Sequence, residues 1–473
     1  MRKIKLCFIF FLMIALLFVG AGCTSGTKSI DFEVPEGGYD GSEVEIKFYH
    51  TMGQNLRDVL RIYIEEFNKI YPNIHIKEEQ IGGYDDVRNQ ISTELTVGYE
   101  PNLAYCYPDH VALYNMTKKV ATLDDLINST ASDGAGGILG LTAEQKADFI
   151  DAYYKEGQQF GDGFMYTMPF SKSTEVLYYN KTFFEANEIP VPDHWFSTDE
   201  NDKTSLEAVC RRIKEIDPKS IPLGYDSEAN WFITMCEQLN SPYTSATGDH
   251  YLFDNDVNKD FLKKFRGWFV EGLVTTQSIY GQYTSNLFKE RALDKATSYM
   301  SIGSSAGATH QLPEKEDGKY PFEVGIVSIP QVNAANPKVI SQGPSVCIFK
   351  KSNPQEVVAS WLFVKFLTTS VEFQAEFSMK SGYVPVLKSV KDNPVYKAFL
   401  DGADGGDSIA ALSAKVCVEQ EQAYYTSPAF NGSSKARDQV GSLVTKVFGL
   451  PDEGLDAAIN KAFEDALYEC KFN

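Results

Sequence analysis

The sequence is poor in the residues that carry most metal and redox chemistry. Its six histidines, at positions 50, 75, 110, 194, 250 and 310, include no H-x-x-x-H or H-x-H pair, and its eight cysteines form no C-x-x-C. A metal knuckle or a dithiol redox motif is therefore not indicated. No G-x-x-x-x-G-K-[ST] loop that would cradle nucleotide phosphates is present. Positive charge is also short: 44 Lys plus Arg face 64 Asp plus Glu, for a formal charge of −20. That field opposes the phosphate neutralisation on which nucleic-acid affinity rests, so no nucleic-acid partner is expected. No tandem repeat of solenoid or propeller length occurs.

What is present is a long, apolar-rich chain. Its 473 residues are 43% hydrophobic and 13% aromatic, with 31 Phe and 26 Tyr, enough for large cores and too much for a disordered polymer. Arg2, Lys3 and Lys5 precede the apolar run LCFIFFLMIALLFVG and the small residues before Cys23. This pattern predicts a secretory signal over 1–22. V-G-A-G-C resembles a bacterial lipoprotein box, which implies acylation of Cys23 and membrane attachment through lipid chains rather than a spanning helix. Loss of the signal leaves 41 basic against 64 acidic residues, a charge of −23. Residues 24–43 are polar and Gly-rich, and together with Cys23 they read as a flexible tether over 23–43. Cys106, Cys236 and Cys347 lie in apolar runs and are expected as buried thiols.

The folded part is expected from Val44. VEIKFY alternates as a strand, and QNLRDVLRIYIEEFNKI places apolar residues at steps of three and four until Tyr71-Pro72 stops it. IHIKEE, a helix over YDDVRNQISTELTV and the strand NLAYCY follow. Strand and helix in alternation are the grammar of an open α/β sheet. The pattern continues with strands in GFMYTMPF, TEVLYYN, ATSYMSIG, FEVGIVSIP and SVCIF. Helices are predicted over EANWFITMCEQL, FLKKFRGWFV and QEVVASWLFVKFL, with capping boxes at Thr204/Glu207 and Thr369/Glu372.

The order of five stretches carries a resemblance: IKFYHTMG with EEFNKIYPNIHIK; GGYDDVRNQISTELTVGYEPNLAY; MPFSKSTEVLYYNKTFFEANEIPVPDHW; LFKERALDKATSYMSIGSSAG; and GPSVCIFKKSN through FLTTSVEFQAEFSMKSGYVPV. In this order they resemble the family 1 bacterial extracellular solute-binding proteins, the capture subunits of sugar-type ABC importers related to the maltose-binding protein. Asn102 stands where the family usually has Asp, and Gly343-Pro344-Ser345 replaces the commoner Gly-Gly-Ser. The resemblance implies a two-lobed periplasmic-binding-protein-like type II α/β fold, each lobe a mixed open sheet flanked by helices and joined by a hinge. It places 44–168 plus 334–369 in an N-lobe and 171–330 plus 370–473 in a C-lobe. It also implies a monomer without cofactor that binds a small solute and hands it to ABC permease subunits.

A sugar presents apolar faces and a hydroxyl rim, so its site needs aromatic platforms and convergent polar groups. Strand ends supply His50 and Thr51 after the first strand, Tyr107 and Asp109 after the third, and Ser304 and Ser305 after ATSYMSIG; Tyr84 opens a helix. The resemblance adds Trp231 as a stacking aromatic, and Gly343, Ser345 and Tyr383 near the cleft. Neutral oligosaccharide is the first expectation for the solute. A glycerol-phosphate-like solute is the alternative, because YHTMG and KSGYVPV also resemble relatives that bind such compounds. A surface glycoside hydrolase, with two carboxyls across a cleft, and an adhesive lipoprotein are the readings from other classes.

Overall fold

The computed structural model describes residues 32–402 and 408–472. The signal segment, Cys23 and residues 24–31 of the expected tether lie outside the described residues.

Twelve strands are found among the described residues: β1 (Val44–His50), β2 (Ile74–Gln80), β3 (Leu103–Cys106), β4 (Met168–Pro169), β5 (Ser173–Asn180), β6 (Leu223–Tyr225), β7 (Val274–Thr276), β8 (Met300–Ser304), β9 (Val324–Ser328), β10 (Val339–Gln342), β11 (Ser345–Ile348) and β12 (Tyr424–Tyr425). They form two mixed sheets, one of order β2-β1-β3-β11-β4, the other β12-β10-β5-β8-β6-β7 with β9 also paired to β5. β1 runs parallel to β2 and β3, whereas β11 returns antiparallel to both β3 and β4. In the second sheet β5 is antiparallel to β8, β9 and β10.

The first sheet is built from periodic sequence. In Gln54–Ile70 the buried residues Val59, Leu60, Ile64 and Phe67 fall on one face, and Phe67 packs edge-on against Phe363 at 5.1 Å. Its partner helix, Pro354–Thr369, is apolar nearly all round and lies within the lobe, where the Trp361 indole donates to the Leu139 carbonyl at 2.9 Å. Asn353 caps that helix through Gln355 N–H with Pro354 in its first turn, as the sequence predicts. The two expected capping boxes are shifted by one residue. Ser205 and Ser370, rather than Thr204 and Thr369, accept the first-turn N–H.

The chain passes between the sheets three times, the last between β11 and β12, and the first two passages lie side by side. The first is residues 170–172, between β4 and β5; the second is Gly343-Pro344, between β10 and β11. The expected N-lobe segment beginning at 334 is corrected accordingly, because Val339–Gln342 pairs in the second sheet. Helix Val371–Ser381, expected in the C-lobe, packs instead on the first lobe. Phe373 meets Tyr63 of the 54–70 helix at 5.1 Å, an aromatic contact that sets this helix against the first lobe rather than beyond the boundary the resemblance implies. Residues 32–43 are likewise docked rather than loose: Tyr39 is buried and its N–H donates to the Ser132 carbonyl. Phe32, Val34 and Tyr39 supply the apolar contacts that hold this segment.

At the second crossing Gly343 has φ +102°, and a Cβ there would lie 2.7 Å from the Ser171 carbonyl oxygen and 2.8 Å from Lys172 Cα. Only glycine lets the two connections approach this closely. Gly343→Ala is expected to destabilise the fold by about 2–4 kcal/mol, measured by denaturant unfolding.

Candidate functional site

A cavity of about 330 Å³ opens between the two lobes, above the paired crossings. Each lobe contributes one wall. From the first lobe, β3 delivers Tyr107 and then Pro108, whose fixed φ starts the helix Pro108–Tyr114, so that Asp109 and His110 face the cavity from its first turn. Arg88, on helix Tyr84–Val97, joins them. From the second lobe come Tyr243, Thr244 and the first turns of helix Ser433–Phe448, which carry Ser434, Arg437 and Asp438. That helix follows Gly432, at φ +110°, and has no side-chain cap; its Ser433 N–H donates to the Phe430 carbonyl at 3.0 Å. Gly343, Ser341 and Glu156 form the floor.

Several buried polar atoms of these lining residues have no partner among the described residues: His110 Nδ1, Thr244 Oγ1 and Ser341 Oγ. Burial holds the His110 imidazole below its ordinary pKa, against the pull of Asp109, so the ring is neutral at pH 7 and one nitrogen can accept. Burial raises the Asp438 carboxyl, with Arg88 opposing. Arg88 itself is paired with Asp85 at 3.1 Å. The cavity thus mixes both charge signs with neutral donors and acceptors, an arrangement suited to a small polar solute.

Arg437 is tied into the second lobe. Its guanidinium donates to Asn230 Oδ1; Asn230 Nδ2 donates to Glu175 at 2.9 Å, and the Tyr225 hydroxyl donates to the other oxygen of Glu175 at 2.6 Å. Glu175 is fully buried, and burial pushes its pKa up to about 7 although Tyr225, Asn230 and Arg437 favour its charged form.

The expected site residues fall into four groups. Tyr107, Asp109 and Gly343 line the cavity. Tyr84 and Tyr383 adjoin it: the Tyr84 ring lies 4.5 Å from that of Tyr107, and its hydroxyl meets that of Tyr383 at 3.4 Å. Ser345 lies beneath the floor, bonded to Lys172 and Glu156. The others are not brought to the cavity. His50 is buried on Glu78 at 2.9 Å and accepts from Met52 N–H, and Thr51 follows it at the end of β1. Ser304 caps Ala306 N–H, and Ser305 accepts from Thr174 N–H. Trp231 is corrected from platform to core: it is 1% exposed and stacked between Tyr225, at 4.9 Å, and Phe265, at 4.4 Å. Among the residues not anticipated, His110 directly follows Asp109, which was; Arg88, Glu156, Tyr243 and Arg437 sit in polar or helical sequence that gives no local signal.

The profile of the bacterial extracellular solute-binding proteins matches residues 63–399. The chain belongs to this family. It is 23% identical over 370 residues to the maltotriose-binding protein of Pyrococcus abyssi, covering 75% of this chain and 69% of that one. It is 20% identical over 369 residues to the sn-glycerol-3-phosphate-binding periplasmic protein UgpB of Escherichia coli K12, covering 77% and 79%. Among solved structures, the cyclic alpha-maltosyl-1,6-maltose binding protein from Arthrobacter globiformis superposes with a TM-score of 0.67 at 17% identity, over 90% of this chain and all of that one. UgpB from Mycobacterium tuberculosis, in complex with glycerophosphocholine, gives the same score and identity over 91% and 98%. These likenesses establish the two-lobed fold expected from the sequence. No helix among the described residues is long and apolar enough to cross a membrane. All six cysteines in the described residues are free, and the three expected as buried thiols are buried.

Two outcomes follow from this packing. Trp231→Ala is expected to lower unfolding stability by about 3–5 kcal/mol, seen as an earlier denaturant midpoint, while solute affinity changes little. For Glu175, the folded-state pKa of about 7 lies above the ordinary carboxyl value, so the native state holds the proton more tightly than the unfolded chain. Stability is then greatest in acid and falls by about 3 kcal/mol as pH rises from ~4.5 through 7. Glu175→Gln should flatten this part of the stability profile, measured as melting temperature against pH.

Proposed function

We propose that this protein is a lipid-anchored, monomeric binding protein on the outer face of a bacterial cell membrane. It captures a carbohydrate between its lobes and delivers it to the permease of an ABC importer. The observation that carries the reading is the inter-lobe cavity, lined by the ring of Tyr107 and by the polar side chains of Asp109, His110, Thr244, Ser341 and Arg437. Sugar hydroxyls both donate and accept and match such a set, and the tyrosine supplies an apolar face. The maltotriose-binding relative supports the same solute class. Lobes that enclose ligand close only as far as ligand contacts favour the closed state. Acyl chains on Cys23 would hold the protein at the bilayer, and the ATPase and permease would be separate chains.

A second reading, a glycerol-phosphate-like solute, is favoured by Arg437, whose guanidinium lines the cavity from the early turns of helix Ser433–Phe448. The relatives named for sn-glycerol 3-phosphate support it. A thermal-shift panel of maltose, maltotriose, larger glucans, polyols and sn-glycerol 3-phosphate separates the two. A true ligand at one hundred times its dissociation constant stabilises the fold by ~2.7 kcal/mol, a shift of several degrees. A shift with glucans and none with the phosphate is the expected result; the reverse selects the second reading. Release of shorter sugars from maltotriose would instead make the protein a hydrolase.

A further inference from the structure

The cavity floor contains a carboxylate whose placement is over-determined. Glu156 ends the helix Asp151–Glu156 and lines the cavity while remaining only 5% exposed. One of its oxygens, Oε2, accepts from Lys172 Nζ and from Ser345 Oγ, the latter at 3.2 Å. Lys172 is fully buried and spends its remaining donors on the Gly343 carbonyl and Ser345 Oγ, each at 3.0 Å. The helix is fixed from its other side, where the Tyr153 ring stacks on Tyr424 with centroids 5.3 Å apart. Its end is fixed as well: a Cβ at Gly157 would lie 2.3 Å from the Thr167 carbonyl oxygen. No described donor bonds the second oxygen, Oε1, and it is not among the buried orphan atoms. Its carboxylate is therefore held rigidly with one oxygen left for the cavity.

We propose that Glu156 is a specificity-determining residue that takes a hydroxyl of the solute through Oε1, and that Lys172 is its positioning residue. The proposal rests on the solute-binding reading above and deepens it. A carboxylate offers acceptors only, so it rewards an O–H donor and disfavours phosphate oxygens, which bring acceptors and like charge. Glu156 thereby selects neutral polyols over anions at the floor, whatever Arg437 does at the opposite wall.

The test is calorimetric titration of the full chain with maltotriose and with sn-glycerol 3-phosphate, for wild type, Glu156→Gln and the double variant Lys172→Met/Glu156→Gln, with melting temperatures alongside. Glu156→Gln is expected to weaken maltotriose binding by about tenfold or more, and to leave any affinity for the phosphate unchanged or raised. The single change leaves Lys172 buried beside a neutral amide and lowers the melting temperature; the double variant removes that stranded charge. The double variant is expected to regain melting temperature without regaining maltotriose affinity. Recovery of wild-type affinity by the double variant would make the pair purely structural and overturn the proposal while the solute-binding reading stands. Wild type that binds only the phosphate also overturns the selection of neutral solutes. Wild type that binds neither probe overturns both readings.

Discussion

The buried contact of Lys172 with Glu156, Ser345 and the Gly343 carbonyl is the constraint on which the architecture turns. It joins the first two inter-lobe connections to each other and to the cavity floor. A buried ion pair is seldom a strong source of net stability, because desolvation offsets most of the attraction. Its value lies in register. All three ammonium donors are used, so sliding one connection past the other would strand a charge out of water. The backbone bonds around it point the same way: Phe170 and Ser171 N–H donate to the Pro344 carbonyl, and Lys172 exchanges backbone bonds with Val384. Hinge and binding floor are thus one set of residues. Motion of the lobes about these connections alters the floor directly, with no longer route needed.

Electrostatics at the cavity differ from those of the whole chain. The formal charge of −20 repels anions at long range, but screening over ~8 Å leaves the choice of solute to local groups. Locally, Arg88 and Arg437 stand among Asp85, Asp109 and Asp438. Arg88 is engaged by Asp85, and Arg437 leans on Asn230, which in turn is held by a carboxyl that burial keeps partly protonated near neutrality. The wall cation is therefore supported by a chain reaching the centre of β5, and its orientation depends on residues remote from the solute.

Much of this was legible in the sequence where periodicity was long. The helices Gln54–Ile70 and Pro354–Thr369 and the strands β1, β5 and β11 follow from alternation, three-four spacing and Asn-Pro capping. Strands of two or three residues, such as β6, β7 and β12, are too short to show a period, and they exist because neighbours pair with them. The order of motifs brought the family and its two lobes into view, yet the lobe boundaries drifted. The order of motifs says which segments follow one another, not which sheet a helix covers. In the site, the residues next to strand ends were found because open α/β folds present groups there. Arg437 and Glu156 were not found, since what brings them to the cavity is tertiary placement of a late helix and of a helix end. Trp231 was misplaced for an instructive reason: its indole nitrogen has no partner, so the ring is held purely by stacking, which sequence cannot tell from a platform.

With the tryptophan in the core, the aromatic contribution to the site falls to tyrosines, and that changes what the site can recognise. Tyr84, Tyr105, Tyr107 and Tyr383 cluster at the first-lobe wall, and burial raises the pKa of each above its ordinary value. Their hydroxyls are therefore neutral at any physiological pH and able to donate as well as accept. The neighbouring His110 is neutral for the converse reason, burial having lowered its pKa. Neither group contributes a charge, so discrimination between a neutral and an anionic solute is left to Arg88, Arg437, the wall aspartates and Glu156. Hydroxyl-bearing rings suit a polyol in either case, because they offer both an apolar face and a polar tip. The fold supplies a wall of neutral tyrosine hydroxyls, and a few paired charges are set against it.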